Sequence, residues 1–399
     1  MHEKTYMIEM LDSISAIEPS HWATLVEHES PFLDYHFLRL LESTGCTGEL
    51  AGWYPQILVA YEEPSSPEAP KHVVGALPFY VKTNSAGEFI FDWSWADAAY
   101  RAGIDYYPKA VVAIPFSPVS ARKVLVSPDL PEEQRTQLGK AMIAASMEIA
   151  QKQDLSSVHY NFLQPDEVEL FDEFPTYIRH TMQYHWQNDT ASGQGEPYKD
   201  FDHFLQRFRS KRRANIRRER RKLKQQGVTT EILRGDDITE ELMATMFGFY
   251  LNTIDKFYYG QQYLTEDFFL ALPEYCRDDL HIVIAKQNGE AFAGAFNLYK
   301  HDRLYGRYWG CSKDVEFAHF EVCMYTPIEW CIEHGVMSFE PGAGGEHKYE
   351  RGFEPTKIYS AHFIRDFRLS HGIERFLTQE RAARTQQIKQ MRALNPFKD

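Results

Sequence analysis

Hydrophobic residues follow two periods along the chain. Runs in which every second residue is apolar predict strands, and longer runs with apolar residues three or four positions apart predict helices. The predicted strands are 6–15, 57–61, 72–82, 89–95, 157–162, 177–186, 229–233, 281–285, 291–299, 303–311 and 336–339. The predicted helices are 18–29, 32–43, 132–152, 167–171, 201–227, 239–257, 266–272 and 317–333.

The order of these elements occurs twice. In each half a strand is followed by two helices, antiparallel strands, a long helix and a further strand. Gly75-Ala76 with Tyr80 in the first half matches Gly294-Ala295 with Tyr299 in the second. The sequence therefore predicts an α/β (α+β) protein of two similar domains, each a mixed, mostly antiparallel sheet flanked by helices. The polar stretch 188–197 separates them, which gives domains at 1–190 and 229–399 and a linker with a basic helix at 191–228.

Composition supports two globular domains and excludes several classes of protein. The chain has 399 residues, of which 43% are hydrophobic, and this is enough for two cores. There is no apolar run of about 18 residues that could span a bilayer, and the N-terminus does not resemble a signal peptide, so a cytoplasmic location is expected. Five scattered cysteines are expected to be reduced thiols, and neither they nor the histidines form a metal-binding motif.

The predicted helix 201–227 is strongly basic. Between Phe201 and Lys224 it carries eleven Lys or Arg residues against two acidic ones, although the whole chain has a net charge of −14. Its apolar stripe also places Arg212, Asn215 and Glu219 on the buried face, where polar groups need partners. The segment is either a solvated charged face or an anion-binding surface. On the second interpretation the candidate ligand-binding residues are Arg212, Arg213, Asn215, Arg217 and Arg218.

The stretch 338–363 is the most prominent candidate site. A predicted strand runs into a glycine-rich loop, and loops after the carboxyl ends of strands are where α/β folds assemble sites. A flexible loop with solvated charges is the alternative. The candidate residues are Gly342, Gly344 and Gly345 for backbone contact with a ligand, Glu346, His347 and Lys348 for catalysis, and Arg351 for substrate binding.

Two weaker candidates lie elsewhere. Glu321, on the helix 317–333, either projects toward the sheet or faces solvent. The aromatic-rich segment 91–119 forms either a substrate-binding wall or a structural loop. Its candidate residues are Asp92, Trp95, Asp97, Tyr106, Tyr107 and Lys109. The sequence contains no GxSxG, P-loop or GxGxxG motif, so it gives no support for a serine hydrolase, a nucleotide hydrolase or a dinucleotide-binding enzyme.

Three segments, 91–119, 210–228 and 319–355, resemble a bacterial family called FemAB-like, or peptidoglycan biosynthesis/recognition, proteins. That family is grouped with the GNAT (acyl-CoA N-acyltransferase) superfamily. The resemblance implies two tandem GNAT-like domains and transfer of an acyl group to an amine. In Fem-type transferases the donor is an aminoacyl-tRNA and the acceptor a peptidoglycan precursor, whereas ordinary GNAT enzymes use acyl-CoA.

The resemblance also suggests a role for one lysine. A lysine in a Lys-x-x-aromatic-Gly segment is thought in that superfamily to steady the reacting carbonyl, and Lys348 corresponds to it, although here Gly352 precedes Phe353. The stretch 309–321 lacks the (Gln/Arg)-x-x-Gly-x-(Gly/Ala) loop that holds the CoA pyrophosphate in ordinary GNAT enzymes. Both acyl-CoA and aminoacyl-tRNA therefore remain open as the co-substrate.

The combined expectation is an N-acyltransferase that works by direct transfer, without a metal or a covalent intermediate. Glu346 or His347 would take the proton of the amine, Lys348 would stabilise the oxyanion, and Arg351 would anchor the substrate. The basic helix would hold the phosphates of the donor. The expected partners are a small-molecule or peptide amine and tRNA. The alternative is a non-catalytic protein that binds RNA or a cell-wall precursor. The sequence predicts no oligomeric state.

Overall fold

The structure is a computed structural model that describes residues 6–63, 71–190, 195–255, 261–393 and 396–398. Part of the predicted linker, 191–194, and the last two residues of the predicted helix 239–257 lie outside the described residues. The strands are β1 Tyr6–Leu11, β2 Trp53–Pro55, β3 Ile57–Glu62, β4 His72–Leu77, β5 Phe79–Lys82, β6 Lys109–Val112, β7 Leu125–Val126, β8 Ser157–Leu163, β9 Thr176–Gln187, β10 Val228–Leu233, β11 Leu280–Gln287, β12 Glu290–Lys300, β13 Arg303–Cys311, β14 Ser338–Glu340 and β15 Glu354–Ile364.

The α-helices account for most of the remaining regular structure. They are α1 Pro19–Val26, α2 Tyr35–Ser43, α3 Trp93–Arg101, α4 Glu132–Lys152, α5 Phe201–Gln206, α6 Ser210–Gln225, α7 Glu240–Asp255, α8 Glu266–Tyr275, α9 Ala318–Phe320, α10 Thr326–Glu333 and α11 Phe367–Ala393. A π-helical turn, Glu321–Tyr325, joins α9 to α10, and a 3-10 helix, Glu346–Arg351, follows the glycine-rich loop. None of the helices in the described part of the chain has the length and hydrophobicity needed to cross a bilayer.

The chain divides into two units. Unit 1 contains residues 1–181 and 357–386, and unit 2 contains residues 182–356 and 387–399. The sequence-based boundaries instead assign everything after residue 229 to one domain. Residues 357–386 join unit 1 because the second half of β15 pairs with β8, with Tyr359 opposite Leu163 and Phe363 opposite Val158.

Unit 1 has two groups of paired strands. One group has the order β1-β3-β4-β7, and adjacent strands within it are antiparallel. In the other, β2, β5 and β6 are antiparallel, β6 is parallel to β8, and β8 pairs with β15. The helix α4 packs its buried face, including Leu138, Met142 and Ile143, against this sheet core.

Unit 2 repeats the same plan. The strands β10 to β13 form an antiparallel meander, β13 is parallel to β14, and β14 pairs with Trp186 and Gln187 at the end of β9. A helical segment, α9 to α10, lies in the chain between the parallel strands, just as α4 lies between β6 and β8 in unit 1. The predicted fold class, two tandem GNAT-like α/β domains with mostly antiparallel sheets, is confirmed.

Gly75 and Gly294, which the sequence matches between the two halves, occupy corresponding strands but pack against different helices. Gly75 and Gly294 each lie on the second strand of an antiparallel pair, opposite Ala60 and Ile284. A Cβ at Gly75 would lie 2.8 Å from the sulfur of Met142 on α4, whereas a Cβ at Gly294 would lie 2.5 Å from the sulfur of Met246 on α7. One glycine therefore faces the helix that follows the antiparallel strands in the chain, and the other faces the helix that precedes them.

Three sequence-based elements are wrong. The predicted strand 72–82 is two strands, β4 and β5, that pair in different sheets on either side of Pro78. The predicted strand 89–95 is not formed, because Phe89 has φ 58° and the chain turns into α3 at Trp93. The predicted helix 201–227 is two helices, α5 and α6, with Arg209 in an extended conformation between them. The interruption has a tertiary cause. Phe208 forms an antiparallel bridge with Phe397, and the amide of Arg209 donates to the carbonyl of Pro396 at 3.0 Å.

Candidate functional site

The glycine-rich loop begins where the parallel pair β13 and β14 ends. Tyr305 and Glu340 are the last paired residues, and Pro341, which has no N–H, follows. Gly342, Gly344 and Gly345 have φ values of 79°, 72° and 85°, a region that favours glycine. The sequence thus places a tight, exposed turn at the carboxyl end of a parallel strand pair, which is the position predicted for a site.

Lys348 is buried beneath this loop, with 6% of its surface exposed. Its Nζ donates hydrogen bonds to the carbonyl oxygens of Pro341, Gly342 and Ala343, at 3.1, 2.9 and 3.3 Å. An ammonium group has three N–H donors, so the loop engages all of them. Burial lowers the pKa of Lys348 to about 8. In this conformation the lysine shapes the loop, and it can donate to a ligand only after one of these hydrogen bonds is exchanged.

Glu346 and His347, the two candidate bases, are exposed next to Lys348. Burial of part of its ring, together with the positive charges of Arg351 and Lys348, lowers the pKa of His347. The imidazole is therefore neutral at pH 7 and can accept a proton. The ring of His319 lies 5.6 Å from that of His347, centroid to centroid, and burial lowers its pKa to about 4.

Arg351, the predicted substrate anchor, points into the protein. One of its terminal nitrogens, Nη2, lies 3.1 and 3.2 Å from the two carboxylate oxygens of Glu219, and the other donates to the carbonyl of His347 at 3.0 Å. Glu219 also accepts a hydrogen bond of 2.5 Å from the hydroxyl of Tyr325. Of the three polar residues expected on the buried face, Glu219 is buried and has a buried partner, whereas Arg212 and Asn215 are only half-buried, so the expectation is wrong for them. The pair of Glu219 and Arg351 ties the basic helix α6 to the 3-10 helix that carries His347 and Lys348.

Sequence reasoning missed two residues beside the loop, Glu340 and His185. Glu340 is 6% exposed, and its Oε2 has no hydrogen-bond partner among the described residues. The Nε2 atom of His185 lies 3.9 Å from that oxygen, and burial lowers the pKa of the histidine. Glu340 directly precedes the glycine-rich loop in the sequence, and this position could have identified it as a candidate. His185 lies on β9, distant in sequence, and nothing in the sequence connects it to the loop.

The candidate residues of α6 fall into two groups. Arg212 pairs with Glu350 at 2.7 Å, and Arg217 pairs with Asp202 at 2.7 Å. Arg213 and Asn215 are half-buried, and Arg218 is exposed. The helix therefore uses part of its charge to hold neighbouring segments. Within the described structure, no ion pair to a carboxylate is formed by Lys211, Arg213, Arg218, Arg221, Lys222 or Lys224.

A groove of about 840 Å³ runs along α6 in unit 2. Its basic wall is formed by Arg217, Arg220, Arg221 and Lys224, and Thr229 and Thr230 of β10 add hydroxyl groups. Four acidic residues also line the groove, namely Asp200, Asp202, Glu321 and Glu329.

Glu321 is not a solvent-facing residue. It is 6% exposed and accepts hydrogen bonds from Nε and Nη2 of Arg220, at 3.0 and 2.8 Å. Arg220 also contacts Glu329 at 2.6 Å. Glu321 thus sits in the wall of the α6 groove, where it neutralises a cation.

The candidate wall in unit 1 is largely a buried charge network. Lys109 is fully buried and donates to Ser85 and Glu88, both at 2.9 Å, and to Asp92. Burial opposes the charge on Lys109, but these two carboxylates outweigh it and raise its pKa. Burial raises the pKa of Glu88 to about 7.

The other members of that wall differ in exposure. Tyr106 and Trp95 are 4% and 2% exposed, and the hydroxyl of Tyr106 donates to Asp92 at 2.6 Å. Tyr107 is half-buried, and Asp97 is exposed and pairs with Arg101. Most of the polar atoms that were candidates for substrate contact are therefore engaged within unit 1.

The fold and the loop geometry define a tandem GNAT-like protein with a glycine-rich loop at the end of a parallel strand pair. A family model described as peptidoglycan biosynthesis/recognition, FemAB-like, matches residues 13–399. The chain belongs to the FemAB-like family. A comparison with curated proteins gave no significant match.

Several solved structures are similar to this chain at low sequence identity. A conserved protein of unknown function from Bacteroides thetaiotaomicron is 12% identical with a TM-score of 0.50, covering 90% of this chain and all of that one (100%). FemX is 14% identical with a TM-score of 0.47, covering 82% of this chain and 91% of that one. A tandem GNAT protein from the clavulanic acid biosynthesis pathway is 12% identical with a TM-score of 0.40, covering 90% and 98%.

Proposed function

We propose that the protein is an N-acyltransferase that moves an acyl or aminoacyl group directly to the amine of a peptidoglycan precursor. The observation that carries the proposal is a buried lysine with a lowered pKa, Lys348, clasped by the carbonyls of a glycine-rich loop and adjacent to a neutral, exposed histidine, His347. Membership of the FemAB-like family, described as peptidoglycan biosynthesis/recognition, supports a peptidoglycan precursor as the acceptor. The donor is an aminoacyl-tRNA or an acyl-CoA, both of which place the reaction in the cytoplasm.

The proposed reaction needs no metal. The neutral amine of the acceptor attacks the acyl carbonyl carbon, and His347 takes the proton that the amine loses. Glu346, one residue away, is the second candidate for this base. Lys348 exchanges the hydrogen bond to Ala343, the longest of its three at 3.3 Å, for one to the developing oxyanion. When the carbonyl reforms, the bond to the donor oxygen or sulfur breaks, and that atom receives the proton that His347 took from the amine.

The groove along α6 is the proposed site for the phosphates of the donor. Arg221 and Lys224 line it without a carboxylate partner in the described structure, and Arg213 and Arg218 add charge on the same helix. Because such contacts release counterions, binding should weaken with salt, by about 0.7 log units per tenfold salt for each phosphate contact on a single strand. Replacing Arg221 and Lys224 by Gln should flatten that dependence.

The test is a transfer assay with purified protein, in which acetyl-CoA and a mixture of aminoacyl-tRNAs are each offered with peptidoglycan precursor peptides. We expect Lys348→Ala to lower turnover by on the order of a hundredfold with little change in KM, because one oxyanion donor is lost. His347→Ala should remove the pH dependence that reports the base, whereas Glu346→Gln should leave it. Lys313→Ala, which changes an exposed lysine outside the loop, is the matched control.

The assay also separates the two classes of function. If no donor is consumed while tRNA or precursor binds in a salt-dependent way, the protein is a binding protein and the catalytic assignment of Lys348 and His347 fails. If transfer occurs and Lys348→Ala retains full turnover, the protein is a transferase but the chemistry lies elsewhere, and Glu340 with His185 becomes the next pair to replace.

A further inference from the structure

Glu340 is the last residue of β14 and stands directly before the glycine-rich loop. It lies opposite Tyr305 in the parallel pair of β13 and β14. The residue is 6% exposed, and its Oε2 atom accepts no hydrogen bond from the described part of the chain. Burying a carboxylate oxygen without a hydrogen-bond donor is costly. The missing donor is therefore expected to come from a bound molecule or from solvent.

The neighbouring His185 does not supply this donor. Its Nε2 atom lies 3.2 Å from the side-chain amide oxygen of Gln183, which can only accept, so the N–H of Nε2 is directed there. The distance from Nε2 to Oε2 of Glu340 is 3.9 Å, which is longer than a hydrogen bond. Burial lowers the pKa of His185, so the imidazole is neutral at pH 7 and leaves the charge of Glu340 uncompensated.

Glu340 lies close to Lys348, the residue proposed to bind the oxyanion. The Nζ atom of Lys348 donates to the carbonyl oxygen of Pro341, the next residue after Glu340, at 3.1 Å. Standard backbone dimensions then place the Cα of Glu340 within about 10 Å of that Nζ. The positive charge of Lys348 also acts on His185, which neighbours Glu340. A cation and an anion are thus close enough to contact the two ends of one reacting group.

The end of β14 is held in place by close backbone packing. A Cβ at Gly306 of β13 would lie 3.1 Å from the Cα of Pro341, and a Cβ at Gly342 would lie 3.1 Å from the carbonyl oxygen of Gly306. The Glu340 side chain keeps 7% exposure, so it retains a narrow opening to solvent. A binding group on a rigid strand is positioned more precisely than one on a loop. Glu340 therefore has the placement expected of a residue that fixes the orientation of a substrate.

We propose that Glu340 binds the amine of the acceptor and is the residue that selects an amine over a hydroxyl. Its Oε2 atom accepts one N–H of the amine, which leaves the nitrogen lone pair free to face the acyl carbon while Lys348 faces the acyl oxygen. A lysine-type amine arrives at pH 7 as an ammonium ion, and a charge-assisted hydrogen bond is about twice as strong as a neutral one. A hydroxyl cannot carry that charge.

The protons balance in this scheme. The ammonium ion releases one proton to solvent, and the neutral amine, still held by Glu340, attacks the acyl carbon. His347 takes the second proton and passes it to the leaving oxygen or sulfur of the donor. Glu340 itself gains no proton, so it is a binding and positioning residue. This inference rests on the proposed acyl transfer, which it deepens by assigning the acceptor end of the site.

The experiment compares Glu340→Gln with the wild type in the transfer assay, using a peptidoglycan precursor peptide whose acceptor is a lysine side chain. We expect the KM for the peptide to rise at least about tenfold, because a hydrogen bond to a charged group is lost. The KM for the donor should change by less than about twofold, since only the acceptor contacts Glu340. The matched control is Glu290→Gln, which changes an exposed carboxylate at the start of β12 and should leave both KM values unchanged.

Thermal unfolding separates a binding role from a structural one. Glu340→Gln should leave the Tm unchanged or raise it, because the variant removes a buried charge that accepts no hydrogen bond at Oε2 from the described part of the chain. A lower Tm together with a rise in both KM values would show that the carboxylate only supports the fold, and the inference would be overturned.

Isothermal titration separates this inference from the proposed function. Its probes are the same peptide and an analogue in which a hydroxyl replaces the lysine amine. The wild type should bind the amine peptide at least about tenfold more tightly, and Glu340→Gln should bring that ratio close to one. If this pattern is found but no donor supports transfer, the proposed function fails and the assignment of Glu340 stands. Equal binding of the two peptides by the wild type, an unchanged ratio in Glu340→Gln, or no binding at all overturns the assignment, even where transfer occurs.

Discussion

Removing Arg351 should release the basic helix α6 from the candidate site. Glu219 and Arg351 are 6% and 4% exposed, and the guanidinium contacts both carboxylate oxygens, at 3.1 and 3.2 Å. Arg351→Met leaves the Glu219 carboxylate buried with the hydroxyl of Tyr325 as its remaining partner. Loss of one member of a buried ion pair costs about 3–5 kcal/mol, chiefly because the other charge stays desolvated.

Replacing both Glu219 and Arg351 separates the effect of losing the ion pair from the effect of leaving one charge buried alone. Glu219→Leu with Arg351→Met removes both charges and leaves the Tyr325 hydroxyl without its acceptor, a cost of about 1–3 kcal/mol. It should therefore be less damaging than Arg351→Met alone. The control is Arg212→Gln, which breaks the pair with Glu350. Those side chains are 24% and 50% exposed, so the loss should be at most about 1 kcal/mol.

Hydrogen exchange measured by mass spectrometry on peptides from α6 is the appropriate assay, because the two units need not unfold together. A loss of 3–5 kcal/mol corresponds to a fall in amide protection between about a hundredfold and several thousandfold, since each 1.4 kcal/mol is a factor of ten. Equal protection losses in Arg351→Met and Arg212→Gln would show that the buried pair does not hold the helix, and the reasoning would be wrong.

Three other outcomes are expected. The pKa of Lys348, followed by NMR of the side-chain carbon next to its amine in protein labelled at lysine, should be near 8. Between about pH 8 and 10 the unfolded chain then binds more protons than the folded chain, so the free energy of unfolding should rise with pH in the wild type but not in Lys348→Met. A titration midpoint above about 10 would contradict this. Phe397→Ala should lower the free energy of unfolding by about 3–5 kcal/mol and raise hydrogen exchange across residues 201–209, whereas Lys398→Ala should do neither. Unchanged exchange in Phe397→Ala would mean that the C-terminal segment does not hold the break between α5 and α6. Gly310→Ala should prevent soluble expression or lower the Tm sharply, because its Cβ would lie 1.7 Å from a backbone oxygen of α7. The control is Gly248→Ala inside that helix, which has open space around it and should be neutral or stabilising by up to about 1 kcal/mol. Similar Tm values for the two variants would contradict this expectation.

The local pattern of hydrophobic residues was sufficient to predict a helix or strand wherever that element buries a single face. The helix predicted at 132–152 is α4, and the strand predicted at 303–311 is β13, with the same limits. Both have a periodicity that a single sheet or helix interface satisfies. The same reasoning placed Glu219 on the buried side of α6 and predicted that it needs a partner, because an unpaired carboxylate in that position is costly. It could not identify Arg351 as the partner.

The tertiary structure decided what depends on residues far apart in the chain. The basic segment is a continuous helix by its own periodicity, yet the bridge between Phe208 and Phe397 divides it. Residues 357–386 have no local feature that assigns them to unit 1, and the pairing of β15 with β8 does so.

The candidate site shows the same division between local and distant information. The sequence located Lys348 and the glycine-rich loop, because the loop needs positive φ at adjacent positions and the charged residues follow it directly. It could not show that three carbonyls clasp the lysine, or that His185 lies beside Glu340. Hydrogen bonds and burial depend on which atoms meet in space. No period along the chain encodes the turn that brings Lys348 back onto the carbonyls of residues 341–343, or a contact between residues more than a hundred positions apart such as His185 and Glu340.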